Sequence, residues 1–284
     1  MHNLRVALCL SGQMRTYKQC YYKLKKNIID VLEPDIFIHT WKDTGTKIGD
    51  METTCVSKSE LKEMYNPISL NVEEFKKDFF YAMHNLKIPK KLKGVSGHKT
   101  ILPMHHKMKA CNELKKKQEK RQGALYDVVI KSRPDMYINE KIPESTLYCF
   151  NILWHYGWTD LDNQVSDMFA LSSSKNMDYY CSILDNIQKY WNDNVFLAGG
   201  TLMKYHVKQT DIQTKPLYLN FHVMRDAAYI KKKYHFKPIF IINTHMDMWF
   251  KRFSREEKIG KKIYGKFIQP LDIYNRKKEL MGKK

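Results

Sequence analysis

The chain has 284 residues, of which 43% are hydrophobic and 13% aromatic; that is a globular composition with enough length for a substantial core, and it excludes a disordered or fibrous protein. The formal charge of +19 suits an anionic partner, yet only eight of the 49 basic residues are Arg, and so Lys-rich a chain also fits an AT-rich genome. No apolar run nears the roughly 18 to 20 residues of a membrane span, the N-terminus does not read as a signal peptide, and the six scattered cysteines show no zinc spacing, so free buried thiols in a reducing cytoplasm are expected.

In chain order, Leu4 to Leu10 reads as a buried strand that runs into Ser11, Gly12, Gln13, Met14 and Arg15 before a helical pattern carried by Tyr22, Leu24, Ile28, Ile29 and Leu32. Strand, small-residue turn and helix set backbone amides against a phosphate, although Ser11 and Gly12 would serve equally to make the turn and cap the helix. Arg15 would oppose the helix dipole unless an anion faced it. A Walker loop and a G-x-G-x-x-G are both absent from the sequence. Asp35 to His39 is the next strand, and the βαβ unit so formed predicts a parallel sheet with right-handed crossovers. His39 and Trp41 then reach the same sheet edge as Ser11 to Arg15, where Trp41 either stacks on a base or sugar or closes the core.

From Thr44 to Pro103 the chain is polar, with helical stretches at Ser59 to Tyr65 and Val72 to Met83 and an exposed loop at Lys87 to Lys99. Met104 to Arg121 reads as a helix with a solvated Lys/Glu face; His105 and His106 are adjacent and do not share a face, which argues against a metal pair. The central stretch is Tyr126 to Asn139. Val128, Val129 and Ile130 make a strand buried on both faces, and Pro134 ends it, leaving Arg133 and Asp135 two residues apart at the carboxyl edge where α/β sheets bind ligands. That pair suits an anionic ligand, with or without a metal ion, or else is a surface ion pair closing a strand.

Leu147 to Phe150 is expected to be a short strand. The Trp154 to Ser166 loop, with His155, Tyr156, Trp158, Asp160, Asp162 and Asn163, mixes aromatic faces with polar rims, as a sugar-binding surface or a packed loop would. Asp167 to Leu171 returns to the core, a helix follows over Lys175 to Trp191, Gly199 and Gly200 open another through Lys208, and Leu217 to Val223 is strand-like, ending at Arg225. After a last apolar run at Ile239 to Ile242, residues Lys251 to Lys284 hold twelve Lys or Arg against four Asp or Glu, interleaved with aromatics. Domain boundaries are set at 1–245 and 246–284, the second a basic aromatic extension that suits an anionic membrane surface or a solvated helix.

Three stretches in order, RVALCLSGQMRTY with PDIFIHTW, YDVVIKSRPDMYIN and SDMFALSSSKNMDYY, resemble bacterial and viral glycosyltransferases of polysaccharide and lipopolysaccharide synthesis. The resemblance spans about residues 4 to 225 and leaves the middle and the tail unmatched. It implies a GT-A-like α/β fold, with a mostly parallel sheet, helices on both faces, and a nucleotide sugar over the first strand ends. Ser11, Gly12, Gln13, Arg15, Trp41, Arg133, Asp135 and Arg225 would bind the donor. In such enzymes a D-x-D motif holds a divalent metal, Mn²⁺ or Mg²⁺; here Arg133-Pro134-Asp135 takes that place and Tyr137 replaces the second carboxylate. Asp135 would then be the metal ligand, or Arg133 with Arg15 or Arg225 would replace the metal as counter-charge. Asp135→Asn is expected to spare the fold. Asp167, with Arg133, is the catalytic candidate by position.

The function expected from this is transfer of a sugar from a nucleotide-activated donor to a glycan or lipid-linked acceptor, by a cytoplasmic protein peripheral at the inner face of a membrane. A nucleic-acid-binding protein is the alternative that charge allows, but helix-turn-helix, zinc-finger and RNA-recognition signatures are missing, so no nucleic acid is expected. A catalytically inactive carbohydrate-binding protein of the same fold is the other alternative.

Overall fold

The structure is a computed structural model that describes residues 4–45, 55–75, 98–157, 164–193, 195 and 199–224. The chain divides into units of Met1–Tyr229 and Ile230–Lys284, and all described residues belong to the first. Arg225, the boundary expected near 245 and the basic C-terminal extension lie outside the described residues, as do Trp158, Asp160, Asp162 and Asn163.

Strand β1 (Val6–Gly12) lies between β2 (Asp35–Trp41) and β4 (Val128–Ser132), parallel to both. With β3 (Ser69–Glu73), β6 (Leu153–Tyr156), β7 (Phe169–Ser172) and β8 (Thr214–Leu217) they form a seven-stranded sheet in the order β3-β2-β1-β4-β7-β6-β8. The architecture is therefore α/β, with a mostly parallel central sheet. Only β7 among these strands runs against its neighbours β4 and β6. Strand β5 (Met136–Ile138) pairs separately with β9 (Phe221–Val223), antiparallel.

Alternation along the central strands builds two cores. Ala7, Cys9, Phe37 and Val129 join Leu102, Met108 and Cys111 of helix α3 (His98–Gln122). Leu8, Leu10, Ile36, Ile38, Val128 and Ile130 join Tyr17 and Leu24 of α1 (Tyr17–Leu24), Ile28 in the π-helical turn after it, and Leu61 and Tyr65 of α2 (Lys58–Tyr65). Burial on both faces is why these strands read as continuous apolar runs.

Several local expectations are corrected. Leu147 belongs to a short helix α4 (Glu144–Tyr148), opened at Pro143, where proline's fixed φ suits a helix start; the strand follows it as β6, so His155 and Tyr156 are in the sheet and not in a loop. Val72 and Glu73 end β3, Glu74 and Phe75 are not helical, and residues 76–83 of the helix expected there lie outside the described residues. Helix α3 starts at His98, running through Pro103, so His98 and Lys99 are helical and not part of the loop expected there; residues 87–97 lie outside the described residues. The helix expected over Lys175 to Trp191 is two, α5 (Ser174–Cys181) and α6 (Ile183–Asn192), because the Ser182 hydroxyl and N–H both donate to the Tyr179 carbonyl and turn the chain. Leu217 to Val223 divides between β8 and β9. The Lys/Glu face of α3 is not wholly solvated either: Lys115 is buried between Glu119 and Asp178, and Lys107 is buried against Glu73. Cys55 and Cys149 are exposed, whereas the other four cysteines are buried.

Five histidines among the described residues, His39, His105, His155, His206 and His222, are buried. Burial lowers the pKa of His105, His155 and His206 to about 4 and, with the Lys107 charge beside it, that of His39 to about 3. Below pH ~6.5 the unfolded chain takes up protons that the folded chain refuses, each pKa unit being worth about 1.4 kcal/mol. The stability these neutral rings allow is thus complete above pH ~6.5 and is lost as pH falls towards 4. Thermal melts across that window should show a steep fall in Tm; a flat profile would mean the rings are accessible to protons in the folded state.

Candidate functional site

The crossover from β1 goes to β2 on one side, and the chain returns by α3 to place β4 on the other. Strand order therefore reverses between β1 and β4, and in α/β sheets the carboxyl end of such a reversal is a crevice. A cavity of about 400 Å³ opens there, a size typical of small-molecule sites. Its polar lining comes from Ser11 and Gly12 at the end of β1, Gln13 and Arg15 in the turn after it, and Arg133 after β4; Trp41, Phe75, Ile101, Pro103 and Met104 supply an apolar lining. Asp43, Asp167 and Gly199 complete it.

Local chemistry sets the turn after β1. Gly12 has φ +117°, which side-chain-bearing residues rarely adopt, and its carbonyl accepts from the Thr40 hydroxyl at 2.8 Å. Arg15 itself has φ +42°. Glu33 and Asn66 share that conformation, but each caps a helix C-terminus, where it is common; Arg15 precedes a helix. A non-glycine residue held there costs on the order of 1 kcal/mol and points to a functional demand on the side chain. The turn is pinned by the Arg15 N–H donating to the Thr44 carbonyl at 2.9 Å and by the Thr16 hydroxyl donating to the Met224 carbonyl at 2.9 Å.

Asp135 joins the two sides of the crevice. Its side chain is fully buried, and Arg133 grips it through two bonds of 2.7 Å while Arg15 Nη1 donates to the same carboxylate at 3.2 Å. Arg15 Nη2 also donates to Gln13 Oε1 at 2.7 Å. Burial works against the Arg133 charge, but the Asp135 carboxylate outweighs it and the pKa is raised. The sequence placed Asp135 as a ligand-facing group; in the structure the two arginines line the cavity and Asp135 lies behind them.

Asp167 arrives by a different route. Because β7 is reversed, the residues before it lie at the same sheet edge as those after β4, and the Arg133 N–H donates to the Met168 carbonyl at 3.1 Å. Buried Lys131 donates to the Asp167 carbonyl, and burial, opposed by the Asp167 charge, lowers its pKa to about 8. Helix α7 (Gly199–Val207) begins against the Asp167 carboxylate so closely that a Cβ at Gly199 would collide with it.

Trp41 is in the wall, only 6% exposed. Its ring stacks with His106 at 5.6 Å, lies 3.3 Å from the ammonium of Lys107, and meets Phe75 edge-on at 5.0 Å. Lys107 is held by Glu73 and by His39 Nδ1 at 3.2 Å; burial, opposed by Glu73, lowers its pKa to about 8. The aromatic surface more open to a ligand is Phe75, 40% exposed, which the sequence did not single out.

Ser11, Gly12, Gln13, Arg15, Trp41, Arg133 and Asp167 thus share one cavity, drawn from segments more than 150 residues apart in the chain. Sequence reasoning missed Asp43, Phe75, the start of α3 and Gly199; of these only the Gly199-Gly200 pair carried a signal. The chain matches no protein-family model, and no curated protein matches it.

The buried clamp changes the expectation for Asp135→Asn. Removing the charge leaves two guanidinium groups without the carboxylate they share, and breaking a buried ion pair from one side costs about 3–5 kcal/mol. Urea unfolding of that variant should show a loss of this size; a loss under about 1 kcal/mol would mean the pair behaves as a surface contact.

Proposed function

We propose that the protein is a glycosyltransferase of GT-A-like fold that moves a sugar from a nucleotide-activated donor to a glycan or lipid-linked acceptor in surface polysaccharide synthesis. The observation that carries this reading is the pairing of Arg15 and Arg133 in the wall of a 400 Å³ cavity at the reversal of strand order. The donor's diphosphate lies along the turn from Ser11 to Gln13 and the two guanidinium groups, whose forked donors match phosphate oxygens. The flat parts of the nucleotide lie against Phe75, Trp41 and the apolar start of α3. When the bond from the anomeric carbon to the diphosphate breaks, Arg15 and Arg133 stabilise the charge that develops on the leaving group. Asp167, in the same lining, accepts the proton of the acceptor hydroxyl. The basic, aromatic C-terminal stretch would bring the enzyme to anionic lipid.

A divalent metal does not fit the residues described. Both Asp135 oxygens accept from guanidinium groups, the carboxylate is buried, and no group of three or more His, Cys, Asp or Glu side chains suited to a metal is present among the described residues. Of the two ways to balance a diphosphate, the arginine pair is therefore the one proposed. No helix among the described residues is long and apolar enough to cross a membrane.

The test is a thermal-shift panel of nucleoside diphosphates, each with Mn²⁺ and with EDTA. A diphosphate that binds the native chain at a hundred times its Kd adds about 2.7 kcal/mol of stability, and the shift should survive EDTA. Arg15→Lys keeps the charge and loses the fork, so the apparent Kd should rise about tenfold, or about 1.4 kcal/mol. If no diphosphate shifts Tm, the donor reading is wrong. A shift seen only with Mn²⁺ would overturn the arginine version and leave the fold-level proposal standing.

A further inference from the structure

Asp167 also borders a second, smaller cavity of about 80 Å³, lined besides by His155, Tyr156, Gln164, Ser166, Met168 and Gly200. One carboxylate is thus common to the large cavity and the small one. The small cavity is polar and built from rigid parts. His155 and Tyr156 belong to β6, Ser166 is tied by its carbonyl to the Tyr180 hydroxyl at 2.6 Å, and Val165 N–H donates to the Gly200 carbonyl at 3.1 Å. The two glycines that open α7 serve one cavity each. A Cβ at Gly199 would strike the Asp167 carboxylate, and one at Gly200 would come within 3.1 Å of the Gln164 amide oxygen.

His155 gives the small cavity its chemical character. The ring is buried and neutral at physiological pH. Its Nδ1 receives the Ser166 N–H at 3.4 Å, with the Tyr156 carbonyl 3.3 Å away. The Ser166 amide requires a lone pair on Nδ1, which puts the ring proton on Nε2, whereas the Tyr156 carbonyl requires a proton on Nδ1, so the two contacts belong to different tautomers. Nε2 has no hydrogen bond among the described residues, which leaves one ring nitrogen available to a ligand in a residue that lines the cavity. At about 30 Å³ of liquid volume per water, the space suits one or two hydroxyl-bearing carbons and not a whole sugar ring.

We infer that this second cavity is the subsite for the acceptor's attacking hydroxyl, where His155, in the Nε2–H tautomer that accepts from the Ser166 amide, donates to the hydroxyl oxygen and Asp167 accepts its proton. The inference rests on the donor reading of the large cavity and adds the chemical class of the acceptor: an alcohol on a small, protruding group, such as a hydroxymethyl arm or a ring-edge hydroxyl. In the transfer step the acceptor oxygen forms its bond to the anomeric carbon. The bond from that carbon to the diphosphate breaks, and its electron pair leaves with the diphosphate towards Arg15 and Arg133. The hydroxyl proton passes to Asp167. His155 orients the lone pair that attacks, and Gln164 and Ser166 set how large a group can enter.

The test is side-chain NMR on the full chain, following the imidazole nitrogens of His155 and the carboxylate carbon of Asp167. Glycerol and a methyl glycoside are the hydroxyl probes, and the best nucleoside diphosphate from the thermal-shift panel is added in parallel while the Arg15 and Arg133 guanidinium signals are followed. Both His155 Nε2 and Asp167 should respond saturably to a hydroxyl probe. His155→Phe should weaken the Asp167 response about tenfold, the size of one hydrogen bond, and His155→Gln, which restores an N–H donor, should recover part of it. If the diphosphate moves the arginines and neither probe moves His155, the small cavity holds only water and this inference falls alone. If no diphosphate moves the arginines, the donor reading falls, and a saturable His155 response would then mark a hydroxyl site of a binding protein. Should His155→Phe fail to fold, the titration of the unaltered chain still decides.

Discussion

The crevice between β1 and β4 depends on one buried carboxylate. Asp135 accepts two 2.7 Å bonds from Arg133 on its own side and one of 3.2 Å from Arg15 on the other. A lone buried carboxylate would be prohibitively costly, and so would a buried guanidinium. The fully buried Asp135 carboxylate is therefore tolerable only with its two partly exposed guanidinium partners, which makes the geometry of the turn after β1 conditional on the turn after β4. The backbone completes the tie: the Met224 N–H donates to the Asp135 carbonyl at 2.8 Å, and the Met224 carbonyl accepts from Thr16, so the segment after β9 closes the same loop of contacts. In that frame the left-handed backbone of Arg15 has a physical reason, because it directs the side chain back to Asp135 and the cavity instead of along α1.

Buried lysines perform a second task, that of locating α3 and the approach to β7. Lys107 is gripped by Glu73 at the end of β3 and by His39 on β2, and its charge rests on the Trp41 ring. Lys115 spans Glu119 of its own helix and Asp178 of α5. Lys131 on β4 reaches the carbonyls before β7. Each of these ammonium groups loses its hydration, and each recovers it from fixed oxygens or from an aromatic face. The pKa values of Lys107 and Lys131, lowered to about 8 by burial, record that the recovery is incomplete. Such contacts are poor sources of net stability but strict about register. A shift of α3 by one residue would leave Lys107 unpaired.

What could be read from the sequence followed from burial. The strands at Val6, Asp35 and Val128 were legible because both faces are covered, so their apolar runs are continuous, and Pro134 marked where the third one ends. The same logic brought Ser11 to Arg15 and Arg133 to one edge, and the cavity does join them. Burial of Asp135 was not legible, because an Arg-Pro-Asp triplet looks alike whether the carboxylate faces solvent or the guanidinium beside it. Nor were the buried lysines of α3 visible in a helix with Lys on every face; which of them meets Glu73 or Asp178 is decided by elements distant in the chain. The short strand β5 escaped for another reason. Three residues are too few to show a period, and its pairing partner β9 lies more than 80 residues away in the chain.

The reversal of β7 is what turns the crevice between β1 and β4 into a site with two compartments. Had β7 run parallel to β4, the residues before it would lie at the far edge of the sheet and Asp167 would be removed from Arg133 by the length of a strand. Running antiparallel, with Phe169 opposite Ser132, it delivers Asp167 next to the arginines. Strand β6 is antiparallel to β7 in turn, so its carboxyl end brings His155 and Tyr156 to the same edge from the other side. Asp167 then stands between a compartment whose walls carry guanidinium groups and one whose walls carry an imidazole, an amide and a hydroxyl. The Gly199-Gly200 start of α7 keeps both compartments open by contributing backbone and no side chain where space is shortest. Sheet topology thus sets which chemistries face the shared carboxylate, and two glycines set how much room each of them has.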